Sequence, residues 1–321
     1  MSRNILSKIA QNKSLTKPVI YGIKGTELND DEKYFFSKNS CLGFILFARN
    51  IIDKTQVKKL TNSLRELMNG EVLILIDQEG GRVARLKPPH WPAYPTGQFF
   101  ADLYQQNQEN ACLKLQENFA NIAQDLVEVG INVDCAPVLD ILSPQTHQVI
   151  GDRAYGSQAL QVAKLGQAVC DGLLSKAVFP VIKHIPGHGR GACDSHFELP
   201  KVDCPLEDLI NHDFVPFKKL NSQKFAMTAH ILYSAIDQDN CATFSKKSIS
   251  LIRNDICFKN ILMSDDVSMK ALSGDFANRT QKILKAGCDL VLHCNGEMIE
   301  MQEINSTLPK IDDNFWVKFV A

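Results

Sequence analysis

Eight short apolar runs, each followed by a stretch long enough for a helix, constrain the fold of this chain more than any other feature. They are PVIYGI (18–23), LGFILFA (42–48), VLILID (72–77), INVDCAPVLD (131–140), AVFPVIKH (177–184), FAMTAH (225–230), ILMSDD (261–266) and DLVLHCN (289–295). The runs are continuously apolar, not alternating, as in parallel strands buried on both faces. The clearest intervening helix spans about 109–129, with Cys112, Leu115, Phe119, Ile122 and Leu126 at three- and four-residue spacing. Gly130 follows where a left-handed cap belongs. Eight such units predict an α/β fold, a single-domain (β/α)8 TIM barrel over residues 1–321, a length usual for that architecture. A doubly wound open sheet is the alternative, but no G-x-G-x-x-G follows the first run. No internal repeat, low-complexity segment or linker divides the chain.

Composition narrows the partners. A net charge of −1, with no Lys/Arg-rich run, gives no reason to expect nucleic acid. The first eighteen residues lack the apolar core of a secretory signal, and VLILI (72–76) is far too short to cross a bilayer. A soluble, non-exported, cytoplasmic monomer is expected, without membrane contact. Ten cysteines occur with no Cys-x-x-Cys pair, and Cys135, Cys288 and Cys294 sit in or beside strand-like segments. Reduced thiols acting as small buried hydrophobes are expected.

In a barrel of this kind the chemistry lies at the C-terminal ends of the strands. The polar residues there are Asp77, Arg153 on the loop after run four, Lys183 with His184, His230, Asp265 and Asn295. The densest cluster is KHIPGHGRGACDSHFELP (183–200), holding three of the eight histidines. It admits three chemistries. His184, His188, His196 and Asp194 could ligate a metal, but on a Gly/Pro-rich loop without helical spacing. Lys183 could form an imine, but the nearby acids would keep it protonated. Asp194 could orient His196 two residues on, making the imidazole a general acid and then a base. A plain loop-bracing hydrogen bond is the structural alternative. Gly187, Gly189 and Gly191 would let this loop swing over a substrate.

Asp265 ends run seven and can act as a nucleophile toward an anomeric carbon. Neighbouring side chains on a strand point oppositely, so Asp266 is expected to face away and to cap a helix starting in VSMKAL.

Together, KHIPGHGRGACDSH, DQEGGRVARL, VIGDRAYG and MSDDVSM resemble the single-domain β-N-acetylglucosaminidases of glycoside hydrolase family 3. LGFILFARNI, MTAHI and AGCDLVLHCN extend the resemblance over about residues 20–300. It implies a TIM barrel, no metal, no cofactor and a retaining two-step mechanism. Asp265 would be the nucleophile, His196 the acid/base and Asp194 its orienting partner. Asp77, Arg85, Arg153, Lys183 and His184 would bind the sugar, with Arg153 and Lys183 also neutralising Asp77. His188 would brace its loop, and Gln78, Glu79 and Arg82 the turn after strand three.

The implied substrate is a muropeptide, from which a terminal GlcNAc is removed from 1,6-anhydro-MurNAc during peptidoglycan recycling. Two rivals stand beside it: a phosphorylase using phosphate in place of water, and a non-catalytic sugar-binding protein. Ile185 stands where Phe is common in the family, and Cys241 where Pro is usual; neither touches the implied chemistry. The chain ends soon after the last strand–helix unit, so loop 185–197 is expected to supply the acid/base itself.

Overall fold

The computed structural model of the chain describes residues 2–12 and 16–321; Met1 and residues 13–15 of the N-terminal stretch lie outside the described residues. Eight parallel strands close into a barrel: β1 Lys17–Gly22, β2 Cys41–Leu46, β3 Leu73–Ile76, β4 Val133–Asp134, β5 Phe179–Ile185, β6 Phe225–Thr228, β7 Ile261–Asp266 and β8 Leu290–His293. Each pairs with its neighbours in chain order, and β8 returns to β1 through Val19 opposite Val291. The (β/α)8 barrel expected from the eight runs is therefore present.

Continuous apolar runs are explained by two cores. In β3, Leu73 and Leu75 point into the barrel, while Ile74 and Ile76 pack outward under the helices. A strand sandwiched this way needs apolar residues at both phases. The helix Asp313–Val320 sends Phe315, Trp316 and Phe319 into the interior core with Leu6, Ile9, Phe179 and Phe225. These side chains plug the N-terminal end of the barrel and leave its other end open.

The predicted helix at 109–129 is Gln108–Glu128, capped by Asn107, and Gly130 is left-handed with φ +81°. A Cβ there would stand 2.6 Å from Thr61 Oγ1. Run four departs from expectation. Only Val133–Asp134 forms ladder pairs, and one isolated bridge joins Val138 to Lys183. Pro137 has no N–H to give the ladder; its carbonyl accepts from Lys183 N–H instead. All ten cysteines are free thiols. Among the described residues no helix is long and apolar enough to cross a membrane.

Loop 185–197 also differs from expectation. Residues 185–189 are buried, and a Cβ on Gly189 would lie 1.8 Å from the Ile141 carbonyl oxygen. This glycine serves close backbone packing, not a swinging hinge. Its own carbonyl accepts from the hydroxyls of Ser143 and Thr146. Gly189→Ala is expected to cost about 3 kcal/mol in urea unfolding, because backbone on both sides must move. A loss under about 1 kcal/mol would contradict that packing.

Candidate active site

The open end of the barrel holds a cavity of about 200 Å³. Asp77, Arg85, Arg153, Lys183, His184, His196 and Asp265 all line it. Of the residues expected to act in catalysis or bind the sugar, Asp194 alone lies outside the lining, and it reaches the cavity through His196.

One side is an ion-pair network. Lys183, 2% exposed, places Nζ 2.8 Å from Asp77 Oδ1 and 2.6 Å from Glu79 Oε1. Arg85 Nη2 meets Asp77 Oδ2 at 3.0 Å. Arg153 grips Glu79 through Nε and Nη2 at 2.7 and 2.8 Å. Three cations thus face two carboxylates. Burial opposes the charge on Asp77, but Lys183 and Arg85 hold its carboxyl far below the usual range. Burial likewise disfavours the Lys183 ammonium, yet Asp77 and Glu79 raise its pKa well above ordinary. A lysine held protonated this way is a poor imine former.

Two expectations change here. Arg153 neutralises Glu79, not Asp77. Glu79 is accordingly a member of the pocket wall, not only a brace of the turn. Gln78 does brace that turn: its side chain accepts from Arg85 and Leu86 N–H and donates to the Leu86 carbonyl. Arg85 Nε is buried without a protein partner among the described residues, which leaves a donor open. The Arg85 guanidinium lies 5.2 Å from the Phe47 ring centre, a contact the sequence did not announce.

The second side is built on Asp140, a fully buried carboxylate that sequence reasoning missed. Its Oδ2 lies 2.6 Å from His184 Nδ1, and its Oδ1 accepts N–H bonds from His184 and His188 at 3.2 and 2.6 Å. Burial opposes its charge, but His184 and these bonds hold the carboxyl down at about 2. An ionised Asp140 requires Nδ1 of His184 to be the donor. His188, as expected, braces its loop, with Nε2 3.3 Å from Ser195 Oγ. His230 bridges Thr243 Oγ1 and the Asp266 carbonyl beneath Asp265.

At the end of β7, Asp265 Oδ1 accepts the Asp266 N–H at 2.8 Å; its other oxygen has no protein partner among the described residues. Burial raises its pKa, but His230, His184 and the Asp266 N–H outweigh that and lower it. Asp266 also borders the cavity, yet both of its oxygens are occupied. Oδ1 accepts from the N–H groups of Ser268 and Cys294, and Oδ2 accepts from Ser268 Oγ. This tight turn replaces the helix expected in VSMKAL. The next helix is Phe276–Ala286, capped by Asp275. Asn295 is likewise diverted: it donates to Glu300, accepts from Glu297 N–H and does not line the cavity.

His196 stands 61% exposed at the mouth. Asp194 Oδ1 lies 2.7 Å from its Nδ1 and accepts its backbone N–H at 2.9 Å. Burial is again the opposing influence on Asp194, and both bonds from His196 lower its pKa. Among the described residues, no three His, Cys, Asp or Glu side chains are grouped to hold a metal.

The buried groups dictate an acid response. Burial pushes His188 from its ordinary 6.5 down to about 4. Between those values the unfolded chain binds a proton that the folded chain refuses, so stability falls as pH drops from 6.5 to 4. Glu79, held at about 2 against its ordinary 4.5, adds stability that is complete above 4.5 and lost as pH falls toward 2. The melting temperature is expected to decline in these two stages. His188→Gln should flatten only part of the upper one, because burial also lowers the pKa of His230. An unaltered upper stage in that variant would refute the assignment.

Fold and cavity define a (β/α)8-barrel enzyme with a polar, charge-paired pocket at the strand C-termini. The family model for the Glycosyl hydrolase family 3 N terminal domain matches residues 6–313. The β-hexosaminidase of Actinobacillus pleuropneumoniae serotype 3 is 34% identical over 284 residues, covering 86% of this chain and 81% of the relative. That of Glaesserella parasuis serovar 5 is also 34% identical over 284 residues, covering 86% and 80%. The crystal structure of NagZ from Neisseria gonorrhoeae in complex with N-trifluoroacetyl-D-glucosamine superposes with a TM-score of 0.88 at 29% identity, covering 96% of this chain and 91% of that one. The chain belongs to glycoside hydrolase family 3, among its β-N-acetylhexosaminidases.

Proposed function

We propose that this protein is a retaining, exo-acting β-N-acetylglucosaminidase. Its substrates are muropeptides in which a non-reducing terminal GlcNAc is joined to 1,6-anhydro-MurNAc, with or without peptide, and its role is cytoplasmic peptidoglycan recycling. The observation that carries this reading is the pairing of two groups at one cavity. Asp265 offers one carboxylate oxygen free of protein partners, and Asp194 orients His196 at the mouth. The N-acylated glucosamine in the gonococcal relative supports the sugar class.

In the first step Asp265 attacks C1 and the C1–O bond to the leaving group breaks. His196 Nε2–H passes its proton to the departing oxygen, while Asp194 steadies the ring through Nδ1–H. In the second step water attacks C1, His196 Nε2 takes its proton and Asp265 is released. Neither protonation state of the His196 ring places a second negative charge near the nucleophile, in contrast with the usual carboxylate pair. Asp77, Arg85, Arg153, Lys183 and His184 hold the sugar hydroxyls and the N-acetyl group. Pairing with one another, with Glu79 and with Asp140 fixes the donors and acceptors before the substrate arrives.

Intact-mass spectrometry after incubation with 2-acetamido-2-deoxy-5-fluoro-glucosyl fluoride tests this. One glycosyl adduct is expected, mapping to Asp265, alongside net retention at C1. An adduct mapped elsewhere, or inversion at C1, would overturn it. Digestion in phosphate buffer is expected to yield GlcNAc and not its 1-phosphate, which separates hydrolase from phosphorylase.

A further inference from the structure

Two turns meet at the rim of the cavity. One carries His196 and the other Met269, both of which line it. The turns are tied by Lys270 N–H, which donates to the His196 carbonyl at 3.4 Å. The next residues along are Phe197 and Lys270. Phe197 is 70% exposed, and Lys270 Nζ stands 6.0 Å from the centre of its ring. Among the described residues no carboxylate lies within ion-pair distance of the Lys270 ammonium. The rim thus presents an open aromatic face and an uncompensated cation side by side, on the backbone that carries His196.

We infer that Phe197 and Lys270 form a binding platform for the leaving-group sugar, and that the platform selects a pyranose bearing a carboxylate. The inference rests on the proposed role of His196 as proton donor. A donor must lie within hydrogen-bond reach of the glycosidic oxygen, so the residue after it borders the departing ring. The C–H face of a pyranose covers the exposed Phe197 ring, and burial of that apolar area favours binding. The ammonium beside that face favours an anion and disfavours a cationic aglycone. The lactyl carboxylate of a muramic residue, or a carboxylate of its attached peptide, supplies that charge. A neutral aglycone would use the ring alone. Because Lys270 N–H is bonded to the His196 carbonyl, a substrate held by the platform is also held in register with the donor.

The test compares three GlcNAc β-glycosides: a disaccharide with a lactyl carboxylate on its second sugar, the same disaccharide with a lactyl amide, and the methyl glycoside. Lys270→Gln is expected to reduce the carboxylate-over-amide preference in kcat/KM about fivefold. Phe197→Ala is expected to reduce the preference for both disaccharides over the methyl glycoside about tenfold. Competitive inhibition by free GlcNAc should not move in either variant. A Lys270→Gln enzyme whose preference stays unchanged would overturn the charge selection. A Phe197→Ala enzyme that loses as much on the methyl glycoside would show the ring acting through His196, and would overturn the platform. A wild type that hydrolyses none of the three would overturn the proposed function, and the platform with it. A wild type active on all three with unaltered preferences in both variants would overturn the platform alone.

Discussion

Asp265→Ala is expected to lower turnover on every GlcNAc β-glycoside by on the order of 10⁴-fold. The loss should not depend on the leaving group, because among the described residues the other carboxylates lining the cavity have both oxygens committed to protein partners. Asp266 is the nearest candidate, but both of its oxygens are committed to Ser268 and Cys294. Folding should survive. The variant leaves one backbone N–H, that of Asp266, without its acceptor, worth about 1–3 kcal/mol. It also removes a charge whose burial was itself unfavourable. Azide added to the variant would occupy the space of the missing carboxylate and attack C1 from the same face. The product should therefore be the α-glycosyl azide, identified by its anomeric proton coupling in NMR. Near-normal turnover, or a β-azide product, would remove Asp265 from the nucleophile role.

The second large effect concerns His196. Replacing it with alanine should cost about 10²–10⁴-fold on a disaccharide, the usual range for loss of a general acid. A 2,4-dinitrophenyl leaving group needs little protonation, so its glycosyl-transfer step should hardly slow. Water attack on the resulting intermediate still lacks a base, and the intermediate should accumulate as a burst. Azide should relieve that block and give the β-azide, the opposite anomer from the Asp265 variant. Equal losses on both substrates, with no burst, would count against His196 as the acid.

The architecture was legible because a parallel barrel buries both faces of each strand. That requirement wrote eight continuous apolar runs into the sequence, and their polar C-terminal residues marked the mouth. Asp77, Arg153, Lys183, His184 and Asp265 were found by that logic, His196 by its spacing from Asp194, and Arg85 by motif resemblance. The residues missed belong to another category. Glu79 lies on the turn after β3, and its partner Arg153 is 74 positions away. Asp140 closes a run that reads as one strand, and only the folded chain brings it against His184. Asn295 shows the converse error. It closes the last apolar run, yet local hydrogen bonds to Glu297 and Glu300 capture it before it can serve a ligand. Local competition of this kind leaves no periodic trace in a sequence.

The segment from Lys183 to Leu199 changes character along its length. Its first part is walled in by Ile141 and Asp140, whereas His196, Phe197, Glu198 and Leu199 stand exposed. The pocket wall of Asp77, Glu79, Arg85, Arg153 and Lys183 is braced without any contribution from that exposed tip. On the proposed assignment, ring recognition and proton delivery thus sit on separate parts of the barrel mouth that share a common stem. A lineage built on this plan can rewrite the tip, and with it the acceptor or the leaving group, while inheriting its sugar specificity intact. Stripped of the tip, the same barrel would keep Asp265 and the paired pocket wall and lose the proposed proton donor.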